Sequence, residues 1–434
     1  MSPPKSIRLI IDRLKKNGHQ VFIIGGAVRD MMLNRPANDV DILTSAPLQA
    51  VADLFSDQAV KIVGRRFPVC MVNGIEVSTG RQGFNSRDFP ESDLAGRDFT
   101  LNALAFDPVS KRILDPFNGR KDMEKGVIRF TQDPETRIKE DPVRMVRACR
   151  FAAMIRGALS VSSLEAVIAH RGLLKTSARE RIRHEVVRAM ALDTPSLFFK
   201  LLADTGLLAD ILPGLDRCRG LDGGPYHGET VFEHCLLVGD ALPARQPMLR
   251  LAGYLHDVGK YDAARMKDGR LTFAGHEKQT TAMTADLTGL RFSTRDIKYI
   301  ESMTFAHMRP LTAETSQRAA RRLMAMLHRY DLDYRDFLRL RIADKKGNLA
   351  KPAYNINDIR IRLNKLLDVI REKPAVNENE LAVTGTDIIR ILGIEPGPKV
   401  GEIKKILLET VLDHPELNTY AALEKKCRSL NISR

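Results

Sequence analysis

The stretch IIGGAVRDMMLNRPANDVDILT, residues 23–44, decides how the front of this chain is read. VFIIG (21–25) is a short apolar run that reads as a buried strand. Gly25 and Gly26 follow it, where a backbone without side chains lets a phosphate approach closely. Arg29 supplies positive charge beside them. NDVDILT (38–44) reads as a second strand, and on a strand Asp39 and Asp41 share one face. Two neighbouring carboxylates repel unless a cation sits between them. Mg²⁺ prefers such oxygens and shares them with substrate phosphates. The segment is expected to hold a metal–triphosphate. Each fragment alone has a plainer reading, as solvated surface acids or as a Gly-Gly turn.

Working outward, residues 6–17 have helical periodicity and Gly18 is a stop. AVKIVG, PVCMVN and IEVST (59–79) suggest further short strands. Glu76 in the last of these is a candidate third carboxylate, or simply a glutamate at a sheet edge. The chain is expected to be mixed α/β to about residue 130 and nearly all helical from about 135. Asp141 is a plausible N-cap with Pro142 in the first helical position, and Ser177 and Glu180 have the spacing of a capping box. LDGGPYHG (221–228) reads as a loop, 229–345 as helical and rich in His, and GIEPGPKVG (393–401) as a break. Asp141, Arg144, Arg147 and Arg150 are three apart and form a drifting stripe along one helix side. An acceptor carboxylate and a rigid donor fork suit the edge of a base, although a salt-bridged surface stripe has the same spacing.

The 434 residues exceed what one core holds and predict two to four domains. Hydrophobic content of 44% and charged content of 28% fit a soluble globular protein. Lys plus Arg is 68 against 54 for Asp plus Glu, and the resulting +14 points to a polyanionic partner, nucleic acid first. Cys70, Cys149, Cys218, Cys235 and Cys427 are scattered and odd in number, against a disulfide framework or zinc knuckle. No apolar run is long enough to span a bilayer, and the first residues lack a signal-peptide core, so a cytoplasmic protein without a membrane partner is expected.

Five segments in order carry a family resemblance. They are the opening G-G-x-V-R-D … D-x-D, RDFTLNALAFD (97–107), DPFNGRKDMEKGVIRF (115–130), EDPVRMVRACRFAA (140–153) and ERIRHEV (180–186). Together they resemble the motifs of the class II tRNA nucleotidyltransferase and bacterial poly(A) polymerase family. The resemblance implies that Asp39 and Asp41 bind the catalytic Mg²⁺, and that Gly25, Gly26 and Arg29 hold the triphosphate. It implies that Arg97 and Asp98 read the ribose and that Asp141 and Arg144 hydrogen-bond the incoming base. Arg147 and Arg150 would line the same helix face near the phosphates. Two departures stand out. Gly96 replaces the first Arg of the family's usual R-R-D, and the segment between residues 81 and 96 is short, as in CC-adding members.

A second constellation lies in VFEHCLLV (231–238), LAGYLHDVGK (251–260), GHE (275–277), FAHMRP (305–310) and RIADKKGN (341–348). Six of the ten His fall between 227 and 328, with His227 and His328 read as bystanders. Imidazoles with carboxylates suit Mn, Fe, Ni or Zn more than Mg, although a lone core His is usually structural. The order H … HD … H … H … D resembles the HD phosphohydrolase superfamily. That resemblance makes His234, His256, Asp257 and Asp344 the core metal ligands and His276 and His307 additional ones, with phosphodiesterase or phosphatase activity on RNA ends. Lys260 is placed either near phosphate or at the surface. In the C-terminal segment, Lys399, Lys404 and Lys405 follow a Gly-Pro break at a helix start, where backbone N–H groups suit an RNA phosphate; a plain helical packing unit fits equally.

The expected architecture is an α/β nucleotidyltransferase head, a small mixed sheet with helices, at 1–130. A helical neck for base recognition follows at 131–220, an HD-type helical metal domain at 221–350, and a helical RNA-binding segment at 351–434. The expected function is template-independent addition of C and/or A from CTP and ATP to the tRNA 3′ end. The alternatives are a poly(A) polymerase, an HD hydrolase with an inactive nucleotide-binding head, and an RNA-binding module.

Overall fold

The structure is a computed structural model that describes residues 4–36, 40–64, 68–79 and 89–430. The chain forms two compact units, 1–185 with 197–210, and 186–196 with 211–434.

The first unit is built on a seven-stranded sheet in the order β3-β4-β5-β2-β1-β6-β7. Its strands are β1 (Val21–Ile24), β2 (Asp41–Thr44), β3 (Val60–Val63), β4 (Val69–Val72), β5 (Ile75–Thr79), β6 (Ala105–Phe106) and β7 (Ile113–Leu114). All neighbours are antiparallel except β2 and β5. Alternation along the strands sorts the core into two faces. Val21, Ile23, Ile42 and Val77 pack with Ile7, Ile10, Ile11 and Leu14 of the helix Lys5–Lys16, whose i, i+3, i+4, i+7 spacing supplies one apolar stripe. Phe22, Ile24 and Leu43 face the other way, against Leu94, Ala103 and Ala105. Asp41 is two positions before Leu43, and Glu76 is one before Val77, so both acids belong to this second face.

Strand β2 starts at Asp41, later than NDVDILT predicts, and Asp39 lies outside the described residues. Asp141 is not the N-cap of the helix Val143–Ile155. It closes the shorter helix Pro134–Glu140, whose cap is Asp133, and stays extended because a residue before proline avoids the helical region. Its Oδ1 still accepts from Val143 N at 3.3 Å. The capping box at Ser177 and Glu180 is not formed. The helix begins at Arg179, too late for Glu180 to occupy the third helical position, and Ser177 Oγ is buried without a hydrogen bond.

The second unit is mainly helical, with a hairpin of Arg265–Lys267 and Arg270–Thr272 inside the stretch expected to be all helix. The helix Val231–Ala241 starts at a Thr230–Glu233 capping box and packs on Pro247–Leu255 and Tyr334–Gly347. Pro247–Leu255 in turn packs on Thr294–Ala306. A Cβ on Gly347 would come within 2.7 Å of Val238, so the glycine permits this close helix contact. The helices Gly385–Leu392, Pro398–Asp413 and Tyr420–Arg428 share a small core of Ile388, Ile403, Leu407, Val411 and Leu423. No helix among the described residues is long and apolar enough to cross a membrane.

Candidate functional site

In the first unit, β1 ends at Ile24 opposite Asp41, and the chain turns at Gly25 with φ of 68°. A Cβ there would run into Arg97 Nη1, so glycine's freedom at this turn also makes room for a guanidinium. Burial raises Glu76 above the usual carboxylate range, and the charge of Asp41 raises it further while Arg97 opposes. The acids at the ends of β2 and β5 and the cation over Gly25 therefore sense one another. Gly25 N donates to Leu104 O at 3.0 Å, so this amide is already used.

Behind that turn runs a chain of charge-assisted hydrogen bonds. Arg29 is buried; its Nε donates to Asp30 at 2.8 Å and its Nη1 to Asn102 Oδ1 at 2.7 Å. Asn102 Nδ2 donates to Asp98 Oδ1 at 2.9 Å. Asp98 Oδ2 accepts from Arg147 Nε at 2.8 Å and Nη2 at 2.5 Å. Asp98 is partly buried, which opposes ionisation, yet the Arg147 charge and these hydrogen bonds hold it below the usual range. Arg147 Nη1 is 3.5 Å from Glu185 Oε1, and Arg150 Nε donates to Glu185 Oε2 at 2.5 Å. Arg29, Arg147 and Arg150 all stand over the Phe151 ring, Arg150 closest at 4.3 Å. The expected arginine stripe is thus divided, and Arg150 is an interior group held by Glu185.

Arg144 Nη1 donates to Glu140 at 2.7 Å and to Arg137 O at 2.8 Å. Asp141 is held bidentately by Arg181 at 2.9 and 2.6 Å, but the Arg181 side chain is 55% exposed, and such a pair yields readily to a competing ligand. Three contributors escape sequence reading as site residues: Asn102, Glu185 and Arg137. Buried Arg137 donates through Nη2 to Gly96 O at 2.6 Å and Arg97 O at 3.0 Å, fixing the backbone that carries Arg97. Asn102 and Glu185 lie inside quoted motifs, which is the only sequence signal for them.

In the second unit the expected His and Asp residues converge. Asp257 Oδ1 is 3.0 Å from His276 Nε2 and 3.5 Å from His307 Nε2; its Oδ2 is 3.3 Å from His256 Nε2 and 3.6 Å from His234 Nε2. Asp344 Oδ1 is 3.2 Å from His234 Nε2 and 4.0 Å from His256 Nε2. His256 and His307 end their helices and His276 opens a short turn. In each of the three, Nδ1 bonds the carbonyl three residues earlier: Gly253 at 2.8 Å, Phe273 at 2.9 Å, and Thr304. That fixes the tautomer with Nε2 turned toward the acids, and His276 Nε2 and His307 Nε2 also lie 3.2 Å from each other. His234 instead uses Nδ1 on Glu229 Oε1 at 3.1 Å.

Charges here are strongly perturbed. Burial works against the His234 cation, but its bonds to Asp344 and Glu229 raise it to about 9. Burial likewise opposes the Glu229 anion, which bonds from His234, His227 and Leu349 N pull down to about 2. Asp257 is buried and yet held far below the carboxylate range by the charges of His256 and Lys260, the latter 2.7 Å away. Lys260 is therefore a buried partner of Asp257 and not a surface lysine. His256 Nε2 and Asp257 Oδ1 are buried without a hydrogen bond of acceptable geometry. His234, His256 and Asp344, and His256, Asp257 and His307, are each close enough to share one ion. A divalent cation placed there would satisfy these orphaned atoms.

Lys399 and Lys405 are exposed and Lys404 is half-buried, all in the first half of the helix Pro398–Asp413.

Comparison with known proteins bears on both units. The family model "Poly A polymerase head domain" matches residues 21–129, the RNA and SrmB-binding site of polymerase A matches 159–219, and tRNA nucleotidyltransferase domain 2 matches 277–427. An A-adding tRNA nucleotidyltransferase of Deinococcus radiodurans is 31% identical over 405 residues, which cover 89% of this chain and 90% of that protein. A CC-adding tRNA nucleotidyltransferase of Halalkalibacterium halodurans is 39% identical over 214 residues, 48% of this chain and 54% of that one. The crystal structure of the Bacillus stearothermophilus CCA-adding enzyme in complex with CTP superposes with a TM-score of 0.74 at 26% identity, covering 99% of each chain.

Proposed function

We propose, since this chain belongs to the tRNA nucleotidyltransferase and poly(A) polymerase family, that it extends the tRNA 3′ end without a template, taking CMP and/or AMP from CTP and ATP. The observation that carries this reading is the strand register, which sets Asp41 opposite Ile24 just before the Gly25 turn that Arg97 fills, with Glu76 on the neighbouring parallel strand. Asp39 and Asp41, with Glu76, would hold Mg²⁺, which when bound neutralises charge developing at the α-phosphate. Glu76, raised by burial and then by the Asp41 charge, fits such a cation.

The remaining roles belong to the chain itself. Gly25 and Gly26 let the triphosphate approach the backbone, and Arg29 shapes this turn from beneath. Arg97 binds ribose and phosphate oxygens; Asp98 fixes the helix behind it through Arg147. Arg147 and Arg150 are positioning residues. Asp141 and Arg144 read the base edge once Asp141 exchanges Arg181 for the nucleotide. The assignment extends to whole segments: transfer chemistry at 1–130, base recognition at 131–220, a metal domain at 221–350, and RNA contact through Lys399, Lys404 and Lys405 at 351–434, in a cytoplasmic protein.

The test uses tRNA ending at the discriminator base, at C or at CC, with CTP and ATP singly and together. Addition that stops at the CCA end is expected, and a long poly(A) tail identifies the poly(A) polymerase instead. Asp41→Ala is expected to abolish incorporation while tRNA is still retained on a filter; normal extension by this variant refutes the reading.

A second activity rests on the orphaned His256 Nε2 and Asp257 Oδ1. His234, His256, Asp257 and Asp344 would hold Mn²⁺, Ni²⁺ or Fe for phosphate-ester hydrolysis at RNA ends, the ion lowering the pKa of a bound water. His256→Ala is expected to lose bound metal and hydrolysis of p-nitrophenyl phosphate while tRNA extension persists. Full metal content in that variant rules out the assignment.

A further inference from the structure

The cavity of about 680 Å³ that takes in Asp257 and Asp344 continues past them to Lys345, Lys351 and Arg362 and to the rings of Tyr226 and Tyr354. This end has a character of its own. Arg362 is only 9% exposed, and its Nε has no hydrogen bond. Its Nη1 donates to Asp358 O at 2.9 Å, while the Asp358 carboxylate stands off at 3.9 Å. The guanidinium lies 3.9 Å from the centre of the Tyr354 ring. Lys351 Nζ lies 4.8 Å from the centre of the Tyr226 ring. Neither Lys345 nor Lys351 is in an ion pair among the described residues.

Three cations lining one end of a cavity, with the buried donor Arg362 Nε left over, are stabilised by an anion. Asp257 and Asp344 cannot serve, because Asp257 is engaged by Lys260 and four imidazoles and Asp344 by His234 and Arg341. Two tyrosine rings at the same place provide faces for a base.

Resting on the hydrolase reading for the metal end, we propose that Arg362, Lys345 and Lys351 form a subsite for a second phosphate, so that the substrate carries two phosphates and a base. An oligoribonucleotide end and a nucleoside diphosphate share that chemistry.

The full chain is titrated calorimetrically with pUpU, ADP and UMP in the presence of Mn²⁺, for wild type, Lys345→Ala/Lys351→Ala and Arg362→Gln. The lysine variant is expected to bind pUpU or ADP at least tenfold more weakly and UMP less than twofold more weakly. The tighter of pUpU and ADP identifies the source of the second phosphate. Equal losses for one and two phosphates, or no loss, overturn the proposal. Should Arg362→Gln fail to fold, the lysine variant decides alone. Absence of metal-dependent p-nitrophenyl phosphate turnover by wild type would end the hydrolase reading, whereas the subsite stands or falls on binding.

Discussion

The guanidinium of Arg97 occupies the place where a side chain on Gly25 would have to be. One residue's missing Cβ is thus filled by another residue's charge, at the point where β1 ends opposite Asp41. The backbone there has φ of 68°, so substitution meets strain as well as collision. Gly25→Ala is expected to cost about 1–3 kcal/mol of stability and to reduce nucleotide incorporation more than a hundredfold. Thermal melting and labelled CMP or AMP transfer to tRNA check both. Removing Arg97 in the same chain is expected not to restore activity, because the backbone strain remains.

Arg147 secures Asp98 through two hydrogen bonds. A carboxylate held low in the folded state contributes stability that is present above its unfolded pKa, about 3.9, and lost as pH falls through its lower folded value. Arg147→Met is therefore expected to be about 2 kcal/mol less stable than wild type at neutral pH, with the gap closing below about pH 3.9. Urea melts between pH 6 and pH 3 measure the closure. A gap constant with pH would mean that the arginine acts by packing on Phe151 alone.

Glu229 fixes the ring of His234 from behind and also accepts from Gly228 N and Leu349 N at 3.0 Å. Glu229→Gln is expected to weaken metal binding in the second unit by about 10–100-fold, read by equilibrium dialysis with Mn²⁺ or Ni²⁺. Nucleotide addition is expected to continue at the wild-type rate.

These side chains differ in how far sequence reveals them. Apolar spacing places the helix Lys5–Lys16 and strands β1–β5, because burial of a stripe or a face is a local pattern, whereas the two-residue strands β6 and β7 are too short to show one. The order of His234, His256, Asp257 and Asp344 suggests a set of metal ligands, and the fold brings these four residues to contact distance. The hairpin at 265–272 overturns the helical reading of that stretch, and its one local signal is Asp268-Gly269, both left-handed, an Asp-Gly tight-turn pair. What stayed hidden is pairing across long separations. That Arg147 would take Asp98, Arg150 would take Glu185, and Arg181 would take Asp141 depends on how the helix Val143–Ile155 lies against its neighbours. Three-residue spacing cannot tell a base-reading guanidinium from one that braces the interior.

His256, His276 and His307 each borrow an acceptor from their own chain three positions back. Their aim is consequently set by the winding of a helix end or a single turn, before any ion arrives. If an ion binds there as proposed, it would find little left to organise, so damage that merely frays one of those ends would first surface as faster ion loss, in a protein whose melting curve still looks sound.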